Sequence, residues 1–335
     1  MTSATRPATA TMRAIVQHRY GSSDVLELAN VATPSPGDDE VLVRVHAAGL
    51  DKGTWHLMEG LPRLVRLGFG LRAPKRATPG LDLAGIVAGV GSNVTEFEVG
   101  AEVFGIGTGS FAEYACAPAT KLAPKPAGLT FEQAAVVPVS GLTALQGLRD
   151  AGRLEAGQHV LITGASGGVG SYAVQIAKHF GAEVSGVCSG AKADFVRSLG
   201  ADHVIDYATA DPYDTPEPYD LIFDLVGTAT LRRLRRTVTR NGTVVAAGIE
   251  HGGDWTGGTG RYLRATFWSP FVSQRLTMML SKETAIDVKI LAELIEAGAV
   301  VPALDQTFPL EHAAEAMRQM ETGAIRGKVA ISIAD

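Results

Sequence analysis

His159-Val160-Leu161-Ile162-Thr163 runs directly into Gly164-Ala165-Ser166-Gly167-Gly168-Val169-Gly170, and then into Ser171-Tyr172-Ala173-Val174-Gln175-Ile176-Ala177-Lys178. A short β-branched apolar run reads as a buried strand and the residues after Gly170 read as a helix, so side-chain bulk is missing where one becomes the other. Main chain can therefore come close to a ligand. The register Ala165, Gly167, Gly170 matches the three small positions of a dinucleotide turn. They serve a tight bend, close approach to a pyrophosphate, and close packing of helix on strand. Ala replaces the first glycine, while Gly164 and Gly168 keep the loop open. The amides from Ser166 to Val169 would point outward from a helix N-terminus, where the peptide dipoles favour a phosphate. Val169, Ala173, Ile176 and Phe180 recur at helical spacing and predict the stripe that holds this helix on the sheet.

The surroundings meet the context that such a turn needs. From about Val139 the chain repeats strand, turn and amphipathic helix. HVLIT is followed by EVSGVC, HVIDY, YDLIFDLVG and TVVAAG, the last ending at Gly248. Short Val/Ile-rich runs at this spacing predict a doubly wound parallel sheet of the Rossmann type. From Met12 to Pro138 the texture differs: alternating runs such as Val41-Leu42-Val43-Arg44-Val45, cut by Gly and Pro, predict a β-rich, barrel-like unit. The tail VPALDQTFPLEHAAEAMRQMETGAIRGKVAISIAD reads as strand, helix and strand returning to that first unit. The expected division is a loose tail at 1–11, a β-rich domain at 12–138 and 283–335, and a nucleotide-binding domain at 139–282.

Composition narrows the function classes. The chain has 335 residues, 46% hydrophobic and 19% charged, enough for two packed cores. Its net charge of -5 opposes binding a polyanion, so no nucleic-acid partner is expected. The cluster Leu231 to Arg236 reads as a solvated helix face with Leu231 and Leu234 turned inward. Cys116 and Cys188 lie far apart in apolar stretches, as reduced thiols do, which suits a cytoplasmic location. No stretch approaches the ~20 apolar residues of a membrane span, and no membrane partner is expected.

At the end of EVSGVC, where an acid would accept the ribose hydroxyls of NAD, stand Ser189-Gly190-Ala191-Lys192. A hydroxyl and an ammonium attract a 2′-phosphate that a carboxylate would repel, and Tyr207 can add a phenolic donor. The sequence thus favours NADPH. The plainer alternatives are Ser189 as a helix cap, Lys192 as a surface residue and Tyr207 as a packing residue.

With VLVRVHAAGLDKGTWHLMEG, PGLDLAGIVAGVGSNVTEFEVGAEVFG, GSFAEYACAPATKLAPKPAGLTFEQAAVVPVSGLTALQGL and GASGGVGSYAVQIAK in view, the chain resembles the medium-chain dehydrogenase/reductase superfamily. Within it, the resemblance is to the zinc-independent NADPH:quinone oxidoreductase-like branch. This implies a GroES-like catalytic domain, a Rossmann domain, a cleft between them and a homodimer. The places of two catalytic zinc ligands hold Asp51 and Leu81, and two cysteines are too few for a structural zinc lobe. The implied chemistry is direct hydride transfer to a quinone or α,β-unsaturated carbonyl. The resemblance sets Thr143 and Lys328 near the cofactor, Gly248 among its contacts, and Asp51 and Trp55 at the substrate.

Trp55 cannot donate a proton as a tyrosine there would, which leaves His56, Asp51 or solvent. His56 is equally a rim residue, and Trp55 a packing aromatic. The segments 61–80, rich in Arg and Lys, and 251–274 read either as lids over the cleft or as solvated loops. Two rivals stand beside the reductase: an alcohol/aldehyde dehydrogenase with Asp51 and Asp82 as makeshift metal ligands, and a non-catalytic nucleotide-binding protein.

Overall fold

The computed structural model describes residues 10–247, 255 and 273–333. His159–Thr163 sits inside a six-stranded sheet whose spatial order is His203–Asp206, Glu183–Cys188, His159–Thr163, Tyr219–Asp224, Val238–Ala246, Arg275–Met278. Every neighbouring pair is parallel. Numbered along the chain, this order is 3-2-1-4-5-6, the doubly wound arrangement in which crossovers leave both faces covered. Val160, Leu161, Ile162, Ile222 and Phe223 are accordingly buried to the last atom.

The second sheet holds the first domain together. Glu40–Leu50 pairs antiparallel with both Asp82–Val90 and Tyr114–Pro118, and the sheet continues through Glu102–Ile106 to Leu122–Pro124. The C-terminal strands join it from the far side: Lys328–Ser332 pairs antiparallel with Glu40–Leu50 and parallel with Leu304–Pro309. Thr11–Val16 forms a separate ribbon with Glu27–Ala32, so this first strand takes in Thr11, the last residue of the expected tail.

One expectation changes. The glycine-turn helix, Gly168–His179, is buried at every residue from Gly170 to Ala177, whereas Val169 and Phe180 are only partly covered. The helix Pro138–Gln146 packs across its other side, so a single stripe does not describe it. The helix Ala285–Glu296 places Val288 and Leu291 in the same core as Leu142, Val160 and Ile162. That core also takes in Ala47, Ala84 and Phe104 of the first domain's sheet, so the helix packs where the two units meet. The arginine cluster forms the helix Leu231–Thr237 with Leu234 buried, Arg233 paired with Asp211, and its guanidinium over the Tyr213 ring.

Candidate cofactor and substrate cleft

In a 3-2-1-4-5-6 sheet the crevice opens past the C-terminal ends of strands one and four, here His159–Thr163 and Tyr219–Asp224. Gly164 leaves the first strand at φ +67, a backbone state that favours glycine. A Cβ on Gly170 would lie 2.1 Å from the Gly164 carbonyl oxygen, so the packing of helix on turn demands glycine there. At Gly167 a Cβ would meet only that same oxygen, at 3.3 Å. The protein's own packing thus constrains Gly167 much less than Gly170, although that one contact is tight. Gly167 caps the helix without any side-chain acceptor, and the first-turn amides suit phosphate oxygens.

The other turn residues divide by burial. Ala165 is fully buried, its amide donating to Val187 O, and Ser166 turns its carbonyl to Gly327 N at 2.9 Å. Gly167, Gly168 and Val169 are the partly exposed members. The opposite wall is fixed by a pair that sequence reading missed. Thr163 Oγ1 donates to Asp224 Oδ1 at 3.0 Å and accepts from Leu225 N at 2.9 Å, while Gly227 N donates to Asp224 Oδ1 at 3.0 Å. A polar residue closing each of two apolar runs was the available signal. Gly248 lies outside the described residues.

The two domains meet at a buried polar cluster. Lys328 Nζ donates to Ser140 Oγ at 3.1 Å and stands 3.7 Å from Asp82 Oδ2, and the Asp82 and Lys328 side chains are almost completely buried. Asp82 Oδ1 accepts from Val139 N at 2.9 Å. Burial pushes the Asp82 carboxyl well above its ordinary range, with the Lys328 ammonium opposing that rise. A Cβ on Gly168 would come within 3.0 Å of Lys328 Cδ, so the lysine stem runs along the helix N-terminus. On the helix Pro138–Gln146, Thr143 Oγ1 donates back to Val139 O at 2.7 Å.

Leu81, next to Asp82, lines a cavity of about 500 Å3 together with Thr54, Leu57, Met58, Phe69 and Pro79, and with Lys75, Arg76, Lys121 and Glu283. Its middle is largely apolar and several ionic groups border it. The expected catalytic trio, Asp51, Trp55 and His56, sits at the start of the helix Lys52–Glu59. Asp51 is the N-cap of the helix Lys52–Glu59, accepting from Thr54 N at 2.8 Å and Thr54 Oγ1 at 3.0 Å. Both of its oxygens serve the cap. Trp55 Nε1 donates to Glu321 Oε1 at 2.9 Å, with Lys52 over its ring, and His56 stands edge-on to that indole. Neither Trp55 nor His56 lines the cavity.

At the far end of the crevice, Ser189 caps the turn Gly190–Lys192 through its main chain, without a side-chain cap bond. Tyr207 is exposed, its amide donating to Cys188 O. Lys192 Nζ instead reaches the Gly323 and Ile325 carbonyl oxygens, at 2.6 and 2.5 Å. Asp206 stands beside Gly190, and its Oδ1 accepts from Ala208 N. Burial raises both thiols, Cys116 to about 11, so neither is poised as a nucleophile.

The arrangement defines a two-domain nicotinamide-dependent oxidoreductase, and comparison with known proteins specifies its kind. Residues 37–127 match the alcohol dehydrogenase GroES-like domain and residues 199–331 match the zinc-binding dehydrogenase domain. The chain is 33% identical to an NADPH-dependent alkenal/one oxidoreductase of Arabidopsis thaliana, over 96% of this chain and 79% of that one. It is 31% identical to the quinone-oxidoreductase QR1 of Triphysaria versicolor, over 96% and 98%. The solved quinone oxidoreductase of Coxiella burnetii superposes with a TM-score of 0.85 at 28% identity, covering 96% and 99%. The chain belongs to the medium-chain dehydrogenase/reductase superfamily, in its quinone-oxidoreductase-like branch. The zinc in the second domain's name does not suit these residues, since Leu81 carries no donor atom and the Asp51 oxygens are engaged by Thr54.

Proposed function

We propose that this protein is an NADPH-dependent reductase that passes hydride to quinones or α,β-unsaturated carbonyls without a metal. The observation that carries the reading is the glycine turn Gly164–Gly170 opening the helix Gly168–His179 at the switch point of the sheet, in a chain whose Leu81 and Asp82 link that region to a largely apolar cavity. A planar acceptor suits such a cavity better than a strongly hydrated one. When bound, the nicotinamide supplies the hydride.

The chain's residues bind and orient. Helix amides at Gly168 and Val169 hold the pyrophosphate, and Thr163 with Asp224 keeps the facing loop in place. The cluster of Ser140, Asp82 and Lys328 sets the catalytic domain against the turn. With Asp51 a cap and Trp55 bound to Glu321, solvent is the simplest proton source for the product.

The preference for NADPH rests on Ser189, Lys192 and Tyr207, the first with no capping role for its hydroxyl. Asp206 brings a carboxylate near Gly190 but also caps its own turn. A homodimer in the cytoplasm belongs to the same reading, and sedimentation and fractionation test it. The activity is tested by following NADPH and NADH absorbance with a panel of quinones and enones. Oxidation of NADPH ahead of NADH by at least one acceptor is expected; no turnover with any acceptor defeats the proposal.

A further inference from the structure

The segment from Leu61 to Arg76 is unlike the rest of the surface. It contains Arg63, Arg66, Arg72, Lys75 and Arg76, while none of the chain's 35 acidic side chains falls within it. The protein as a whole carries -5. Between those cations Leu64, Leu67, Phe69 and Leu71 are 53%, 68%, 52% and 67% exposed. Trp255, 70% exposed, joins them: its carbonyl accepts from Leu64 N and Arg63 lies over its ring. Scattered exposed leucines are ordinary, but four large apolar side chains within eight residues, set among five cations, are not.

These side chains are held outward by a braced backbone. The Arg66 guanidinium donates to Gly60 O at 2.8 Å and lies over Tyr20, and Tyr20 Oη donates to Gly70 O at 2.6 Å. Lys75 N donates to Phe69 O, and Lys75 Nζ to Gly68 O. Gly68, Phe69, Pro74, Lys75 and Arg76 also line the cavity, so one side of the segment walls the cavity and the other presents Leu64, Leu67 and Leu71 to the exterior.

We propose that residues 61–76 form a docking surface for an anionic lipid bilayer. Exposed leucines, an aromatic ring and unopposed lysine and arginine are the chemistry of an interfacial anchor: the apolar groups enter the acyl boundary while the cations meet the head groups. A second copy of the chain is the poorer occupant, because two such segments facing each other would set the exposed Arg63, Arg72, Lys75 and Arg76 against their own copies. The cavity that this segment walls then lies next to the membrane surface, where lipid-dissolved quinones are found. This last step rests on the proposed activity; the docking does not. No helix among the described residues is long and apolar enough to cross a membrane, so the expectation of no membrane partner narrows to no spanning helix there.

The test uses the full chain and sedimentation with vesicles of phosphatidylcholine alone or mixed with phosphatidylglycerol. Binding to the anionic vesicles is expected to exceed binding to the neutral ones about tenfold and to fall with salt. Leu67→Asp/Leu71→Asp and, separately, Arg72→Glu change exposed side chains outside the cavity lining. Each is expected to lower vesicle binding about tenfold while keeping the wild-type circular dichroism and the wild-type rate with a water-soluble short-chain quinone. The rate with a long-chain quinone embedded in anionic vesicles should fall in parallel.

Equal or absent binding to the two vesicle types overturns the docking. So does wild-type binding by both variants, or gel filtration in which the variants only dissociate a self-associated form. Failure to reduce any soluble quinone would count against the activity alone, because vesicle binding is read without turnover.

Discussion

Lys328 Nζ lies 3.7 Å from Asp82 Oδ2, joining the first residues of two strands of one sheet at the point where the helix Pro138–Gln146 begins. Both side chains are out of water, so removing either leaves the other buried without its partner, and the Asp82 carboxyl, already raised by burial, is driven further towards its protonated form when Lys328 is lost. Lys328→Met and Asp82→Leu are each expected to cost about 3–5 kcal/mol, and the double variant less than either single one. Urea unfolding of the four proteins measures this. Additive losses would mean that the two groups do not interact.

The turn separates folding from binding at two glycines. Alanine at Gly170 places its Cβ 2.1 Å from Gly164 O, which outweighs the ~1 kcal/mol that a helix gains from alanine, so the variant should lose about 2 kcal/mol or more. Alanine at Gly167 meets that oxygen at 3.3 Å, a tight contact that a shift of a few tenths of an ångström relieves, and should cost clearly less stability than alanine at Gly170. Its Kd for NADPH, measured by quenching of protein fluorescence, should rise about tenfold, which is about 1.4 kcal/mol. Unchanged affinity in a folded Gly167→Ala protein would remove the pyrophosphate from this turn.

Five of the six parallel strands were legible because each contains a short apolar run bounded by glycine or a polar turn, and the glycine turn because its requirement is local; Arg275–Met278 lacks such a run. Legibility ended where partners come from remote chain. The direction of Trp55 depends on Glu321, and that of Lys192 on carbonyls at 323 and 325, which no spacing reveals. Asp51 was a different case. An aspartate three residues before Thr54, opening a helix, is a capping pattern readable from sequence. The burial of the glycine-turn helix on two sides likewise depends on the helix Pro138–Gln146, which follows the other domain's strands.

Lys192 tests the coenzyme preference. If its ammonium leaves the Gly323 and Ile325 carbonyls to meet a 2′-phosphate, Lys192→Ala should raise KM for NADPH about tenfold, the worth of one charge-assisted hydrogen bond. KM for NADH should hardly change. An equal rise for both coenzymes in steady-state assays would show that Lys192 acts by holding the 323–325 loop.

His46 predicts how stability responds to acid. Burial lowers its pKa from the ordinary 6.5, with Arg44 adding to the effect, and the ring is stacked on Phe131 with Nε2 shut away from solvent. A histidine depressed in the folded state leaves stability flat above about pH 6.5. Below that value the unfolded chain takes up the proton first, and stability falls until the folded pKa is passed. His159, also lowered mainly by burial, acts in the same direction. The depressed carboxyls of Asp202 and Asp287 lose their contribution only at lower pH, and the raised carboxyls of Glu59 and Asp82 act in the opposite sense. The test is therefore a difference: the Tm lost between about pH 7.5 and pH 5 should be smaller in His46→Gln than in the wild type. Equal losses in the two proteins would show that the His46 proton is taken up alike in the folded and unfolded chains.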